Sequence, residues 1–367
     1  MPNEVSDPQE DFDEKLRALT QIAATRNIQI LVLRRQGSLA WLFGARSHVP
    51  YTLDRSWFDA IVDFSGHQPQ VTIMTNKIEA QRLQETELAD FSVEWSVLDW
   101  WQDRAASLPK GTEVGSDLPV GYMVDISQDI ASMKRTLTKS QVSKLEQVCR
   151  DSALIGTSVA GQIHPTMTET HVAGIISAAM LDRELDPVTI LVSGGDRIRN
   201  HRHPLPTRKP IGDRATVVFC GRRSGLISAV TRIVSFRPLR QSEKDTYQRL
   251  LEVEGEFLDA TCIGVPIGQA FSSGVAGYAR NGFSTVEWHR HHQGGFTGWE
   301  SREYPACSDS SDLLVDGSVV AWNPSAEGLK VEDTTLVSSS GPRTLVHDPF
   351  WPTVEVRGRQ RPQIVEL

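Results

Sequence analysis

At 367 residues, 39% hydrophobic and 23% charged, the chain has the composition of a folded globular protein, and it is longer than the roughly 250 residues that one hydrophobic core ordinarily organises. Two domains are therefore expected. A net charge of −8 excludes a global field for phosphate backbones or anionic lipid, so neither nucleic acid nor membrane is an expected partner.

The stretch Met1 to Asp13 is acidic and polar, without the basic flank and apolar run of a secretory signal, and no apolar run approaches the roughly 20 residues of a membrane span. With Cys149, Cys220, Cys262 and Cys307 lacking CxxC spacing, reduced thiols in a cytoplasmic protein are expected. Phe12, Leu16, Leu19 and Ile22 recur at three- and four-residue steps and predict a helix from Asp11 to about Ala24. Ile28 to Leu33 reads as a strand, broken at Gly37-Ser38 before the apolar segment Leu39 to Gly44. Val71 to Met74 reads as a second strand and Lys77 to Leu88 as a helix carrying Glu79 and Arg82. This alternation predicts a small α/β domain over residues 1–122, followed by a second domain over 123–367.

The second domain opens with a connecting stretch. Thr138 and Gln141 then have capping-box spacing ahead of a long helix through Ala160, and Thr166 or Thr168 caps a helix over His171 to Met180. Strands follow at Thr189 to Ser193, Thr216 to Cys220 and Gly225 to Val234, with a helix at Ser242 to Leu258. The basic run Arg197 to Lys209, interleaved with His and Pro, reads as a loop lining a pocket. Histidines gather in two places, Asn200-His201-Arg202-His203-Pro204 and His289-Arg290-His291-His292-Gln293-Gly294-Gly295. That much imidazole has no evident packing use. Imidazole titrates near neutral pH and suits proton transfer, and Gly294, Gly295 and Gly298 would let backbone approach a ligand.

Several segments together carry a family resemblance over roughly residues 15 to 340. They are Ala40-Trp41-Leu42-Phe43-Gly44-Ala45-Arg46, Asn76-Lys77-Ile78-Glu79-Ala80-Gln81-Arg82, Thr168-Glu169, the second histidine stretch, Arg302-Glu303-Tyr304-Pro305, Asn323-Pro324 and Glu332-Asp333-Thr334. The chain resembles the M24 superfamily of creatinase, prolidase and methionine aminopeptidase. The resemblance implies an α/β N-terminal domain, an α+β C-terminal domain of pita-bread fold, and a homodimer.

It also implies a two-metal centre on two Asp, one His and two Glu, because two adjacent divalent ions need several carboxylates. At the first Asp position stands Val218 or Phe219. Ala229 occupies the second, in Ser228-Ala229-Val230-Thr231-Arg232, and Asn323 replaces the first Glu. His291 or His292 satisfies the His pattern, Glu332 is the remaining Glu, and Arg302 takes the place of a second conserved His. A guanidinium there would repel a cation, so a dinuclear site is not expected.

Creatinase cleaves a C–N bond on this fold without metal. The expectation is accordingly a metal-independent, cofactor-free hydrolase acting on a small amide, peptide or amidino compound. His203 or His201 would shuttle protons, and His291 or His292 with Glu332 would orient water or substrate. Arg302, Arg232 and Arg202 would hold an anionic group by bidentate pairing, with Asn323 and Glu303 completing the substrate contacts. Three alternatives stand beside it: a metallopeptidase of the Xaa-Pro aminopeptidase type, an inactive pseudo-peptidase that binds a peptide or partner, and a non-hydrolytic lyase.

Overall fold

The computed structural model describes residues 8–46 and 55–367; Met1 to Asp7 of the acidic N-terminal stretch lie outside the described residues. The chain divides into two compact units, Met1–Ser140 and Gln141–Leu367.

The first unit is an α/β structure. In chain order it comprises α1 (Pro8–Arg26), β1 (Ile30–Arg35), α2 (Gln36–Phe43), β2 (Arg55–Asp63), β3 (Gln70–Asn76), α3 (Lys77–Arg82), β4 (Glu94–Leu98), β5 (Val114–Ser116), β6 (Val124–Asp125) and α4 (Ser127–Lys134). The strands form one mixed sheet in the order β4-β3-β2-β1-β5-β6. The periodic face of α1 turns Phe12 and Leu19 inward, and Phe12 stacks on Phe43 with ring centroids 5.3 Å apart.

The segment expected to start after a Gly37-Ser38 break is instead the helix α2, with both break residues inside it. All eight of its residues are buried. A wholly apolar run has no period by which to separate helix from strand. What ends this one is Gly44, which takes φ 68° and donates its N–H to the Ala40 carbonyl at 2.6 Å, the left-handed stop that glycine adopts without a Cβ penalty. The Asn-x-x-Glu-x-x-Arg stretch is also a local device. Asn76 caps α3 by accepting from the Ile78 and Glu79 N–H groups, and Arg82 pairs with Glu79 at 2.7 Å.

The second unit is α+β. It contains α5 (Lys139–Ala160), whose first residues precede the division, then α6 (Glu169–Leu181), β7 (Asp186–Gly194), α7 (Arg197–Asn200), β8 (Arg214–Arg223) and β9 (Leu226–Ser235). After these come α8 (Gln241–Asp259), α9 (Ile267–Arg280), β10 (Gly294–Phe296), β11 (Val319–Trp322), β12 (Ser325–Ala326), β13 (Leu329–Lys330) and β14 (Asp333–Leu336). The chain closes with β15 (Arg343–Thr344), β16 (Thr353–Val356), β17 (Arg359–Pro362) and β18 (Val365–Glu366). An eight-stranded sheet runs β10-β11-β14-β9-β8-β7, with β15 on β14 and β18 on β9. All its pairings are antiparallel except that of β18 with β9. Thr168 caps α6 by accepting from the His171 N–H at 3.1 Å.

Helix α9 has no counterpart among the expected elements, because Gly268, Gly274 and Gly277 lower its helical propensity. Tertiary packing supplies the reason for each glycine. A Cβ on Gly274 would run into the Phe257 ring of α8, one on Gly277 would lie 2.8 Å from Glu256 Cγ, and one on Gly268 would lie 2.6 Å from the Ser308 carbonyl. The resulting close helix pair closes over Trp322 of β11, whose ring sits 4.9 Å from Phe257 and whose Nε1 donates to Thr261 Oγ1 at 2.9 Å.

Candidate functional site

Three imidazoles from two distant segments meet on the sheet. His203 lies on the loop between α7 and β8, whereas His291 and His292 precede β10. His291 Nε2 is 2.9 Å from His203 Nε2, and the rings of His291 and His292 stack with centroids 4.5 Å apart. One ring nitrogen from each residue lies within 4.8 Å of the other two. The Nδ1 atoms of His291 and His292 are buried and have no hydrogen-bond partner. Such orphaned polar atoms are rare in folded proteins and call for a partner.

The supports of this cluster are built in. Glu169, fully buried in the first turn of α6, accepts from the Gly194 N–H at 3.0 Å, from Arg197 Nε at 2.9 Å and from the Thr207 N–H at 2.9 Å. It thereby ties the end of β7, α7 and the His203 loop to one carboxylate. On the other side Gln293, also fully buried, accepts from the Tyr278 hydroxyl at 2.7 Å and donates to the His291 carbonyl at 2.5 Å. Gly294 and Gly295 serve this packing and not a ligand. A Cβ on Gly294 would lie 2.7 Å from Trp322 Cα, and one on Gly295 2.5 Å from the Tyr304 carbonyl.

Beside the cluster stands a buried charged group. Glu332, 3% exposed, receives Arg302 NH2 at one oxygen. Lys330 Nζ at 2.8 Å and Thr231 Oγ1 at 3.1 Å reach the other. Burial works against the carboxylate charge, but Lys330 and Arg302 outweigh it and hold Glu332 well below the ordinary carboxylate range. The same two cations act on the imidazoles. His291 is driven down to about 2 by burial and then by Lys330, His292 down to about 4 by burial and then by Arg302, and His203 is lowered by burial and then by Lys330. Each of these influences favours the neutral ring, the form whose lone pair can bond a cation.

Strand alternation decides what else belongs here. Thr231 and Glu332 point to the site, so their neighbours Arg232 and Asp333 point away. Arg232 pairs with Asp333 at 2.8 Å, and Arg361 bridges Asp333 at 2.9 Å to Glu254 at 2.5 Å. Arg232 is thus committed to a buried ion network on the opposite face, and the structure does not bring it to the pocket. Arg202 is held by Glu287, and His201 is exposed at the end of α7 and outside the cluster. Glu303 is half-buried, its N–H given to the Phe296 carbonyl at 3.0 Å.

Asn323 does lie at the site. Its Nδ2 donates to Glu332 Oε1 at 3.5 Å, and its Oδ1 is buried without a partner, as is Arg302 Nε. Lys330 was not among the expected residues. An isolated lysine carries no motif, and only its position on β13, two residues before Glu332, reveals it. Val218 pairs with Thr231 and Cys220 with Ala229 across β8 and β9, so the two positions where carboxylates were sought carry no ligand.

The residues at the five positions therefore do not fit a two-metal carboxylate centre. Ala229, Val218 and Asn323 supply no charge, and Glu332 is already neutralised by two cations. The three-imidazole cluster is a different donor set, and it does fit a cation, since it offers neutral nitrogens and two orphaned Nδ1 atoms.

Comparison with known proteins points the same way. Residues 143–339 match the family model described as metallopeptidase family M24. The uncharacterized peptidase YqhT of Bacillus subtilis is 22% identical over 237 residues, 62% of this chain and 66% of that protein, so the chain spans just under two thirds of that relative. The Xaa-Pro dipeptidase of Pyrococcus horikoshii is 21% identical over 257 residues, 64% of this chain and 73% of that protein. Among solved structures, the prolidase from Pyrococcus horikoshii superposes with a TM-score of 0.77 at 15% identity, covering 91% of this chain and 98% of that one. The pita-bread fold is shared. The expectation of a metal-independent pocket, with His203 or His201 as proton shuttle and His291 or His292 orienting water or substrate, is overturned by these relatives and by the gathering of His203 with His291 and His292, the first two of which lie 88 residues apart in sequence.

Proposed function

Because the chain belongs to metallopeptidase family M24 and is a hydrolase of the pita-bread type, we propose that it hydrolyses the amide bond of a small peptide, Xaa-Pro dipeptides included, with a divalent cation held by His203, His291 and His292. The observation that carries this reading is the cluster of three imidazoles, one ring nitrogen of each lying within 4.8 Å of the other two. When bound, such an ion polarises a carbonyl oxygen and acidifies a water. The protein's own groups do the positioning. Arg302, held by Glu332, presents a buried and unpartnered Nε to a substrate carboxylate, and Asn323 Oδ1 accepts from a substrate N–H. Lys330 keeps Glu332 charged and fixed, and Glu169 holds the His203 loop against the other two rings.

The test is release of free amino acid from a dipeptide panel, with and without added Zn²⁺, Co²⁺ or Mn²⁺. Turnover is expected to need metal, to stop with chelator and to fall at least about 100-fold in His291→Ala. Arg302→Ala is expected to raise KM for dipeptides about 10- to 100-fold while leaving carboxyl-amidated dipeptides unaffected. Absence of turnover with every metal, or full turnover in chelator, would remove the reading. The family resemblance further supports a homodimer, checked by light scattering on the purified chain, and the unpaired cysteines accord with a cytoplasmic setting. Among the described residues no helix is long and apolar enough to cross a membrane.

A further inference from the structure

We propose that this site takes one transition-metal ion, not two, on an all-imidazole donor set of His203, His291 and His292, with Glu332 withdrawn from metal binding. The inference rests on the reading of the cluster as a cation site and specifies its stoichiometry and selectivity.

Three observations carry it. The first is the donor geometry: three ring nitrogens within 4.8 Å, two of them 2.9 Å apart. A four-coordinate ion with bonds of roughly 2.0 to 2.1 Å needs its ligands roughly 3.3 Å apart, so small ring movements suffice. His203 is exposed on its loop and is the ring freest to make them. The second is the state of Glu332. Arg302, Lys330 and Thr231 occupy both of its oxygens, and neutral Asn323 is its near neighbour. For Glu332 to bind a second cation, Arg302 and Lys330 would have to give up the carboxylate that both are paired with, at a cost of several kcal/mol. The third is the absence of carboxylates at Val218 and Ala229, which leaves no other anionic donor on β8 or β9 where a second ion would sit.

Selectivity follows from the donors. Imidazole suits Zn²⁺, Cu²⁺, Ni²⁺ and Co²⁺, whereas Mn²⁺ and Mg²⁺ depend on carboxylate and water oxygens. With only nitrogen donors, and with Arg302 and Lys330 beside them, a hard ion held mainly by charge gains little. An ion that bonds nitrogen strongly tolerates the same surroundings.

The experiment is metal titration of the full chain by calorimetry, with elemental analysis after removal of free ion, for Zn²⁺ and Mn²⁺ in parallel. One Zn²⁺ per chain is expected, with Mn²⁺ at least about 100-fold weaker. His203→Ala, at an exposed loop position, is expected to weaken Zn²⁺ about 10- to 100-fold, and His292→Ala similarly. Asn323→Ala should leave the stoichiometry at one, and circular dichroism checks each variant's fold. Two ions per chain, Mn²⁺ bound as tightly as Zn²⁺, no Zn²⁺ bound, or binding indifferent to both histidine variants would each overturn the inference. One bound Zn²⁺ per chain, with no peptide turnover in Zn²⁺, Co²⁺ or Mn²⁺, would remove the peptidase reading and leave this inference standing. Turnover with two bound ions would do the reverse.

Discussion

Glu332 and Asp333 are adjacent in sequence, both carboxylates and both buried, and they do unrelated work because strand alternation sends them to opposite faces. Asp333 is the shared counter-ion of Arg232 and Arg361, the second of which also pairs with Glu254. Asp333→Asn leaves two buried guanidinium groups short of negative charge and is expected to destabilise the fold by about 3–5 kcal/mol, read from urea midpoints. A loss under 1 kcal/mol would show that the network is not structural. At the other end of the cluster, Glu169 exemplifies a residue that positions without touching substrate. The five hydrogen bonds it accepts all come from Gly194, Arg197 and Thr207, on the chain that leads to and from His203. Glu169→Gln is expected to weaken Zn²⁺ binding with little change in secondary structure, and unchanged affinity would free the loop from that dependence.

Helices carry the next lesson, because the same residue type acts oppositely in two of them. Gly174 in α6 is exposed, and nothing lies within 4 Å of an added Cβ. Gly174→Ala should therefore stabilise the protein by about 0.4–1 kcal/mol through the unfolded chain's entropy. Gly274 in α9 faces the Phe257 ring, and Gly274→Ala should cost about 1–3 kcal/mol by forcing α8 and α9 apart. Thermal midpoints moving in opposite directions would bear this out, whereas equal shifts would contradict the packing account. Helix α9 was illegible in sequence for the same reason that it is structurally informative. Propensity counts a glycine as a loss, and only the facing helix shows what the missing Cβ makes room for.

At the scale of the whole C-terminal unit, one carboxylate gathers several elements. Glu243 of α8 receives Arg237 at 2.7 Å, Arg240 at 3.3 Å and Arg214 of β8 at 3.2 Å. The Arg237 hydrogen bond, with help from Arg240 and Arg214, holds it well below the ordinary carboxylate range. Since its folded pKa lies below the unfolded value of about 4.3, the stability it confers is complete above that pH and is lost as pH falls below it. Wild-type unfolding free energy should therefore drop below about pH 4 more steeply than that of Glu243→Gln, as followed by denaturant titration. Parallel pH profiles would assign the acid sensitivity elsewhere.

The fold was largely legible in the chain itself. Period and capping residues marked α1, α5, α6 and α8, branched apolar runs marked β1, β3, β7, β8 and β9, and the motif spacings identified the superfamily. Sequence also determined that the two-metal carboxylate set is incomplete, because a ligand position either holds a carboxylate or does not. Tertiary structure alone decided that His203 joins His291 and His292, that Lys330 shares Glu332 with Arg302, and that Arg232 faces away from them all. The physical reason is that covalent order sets local geometry over a few residues. A site whose histidines lie 88 residues apart, and whose Glu332 answers to Arg302 thirty residues away, exists only where sheet register and side-chain direction bring their atoms together.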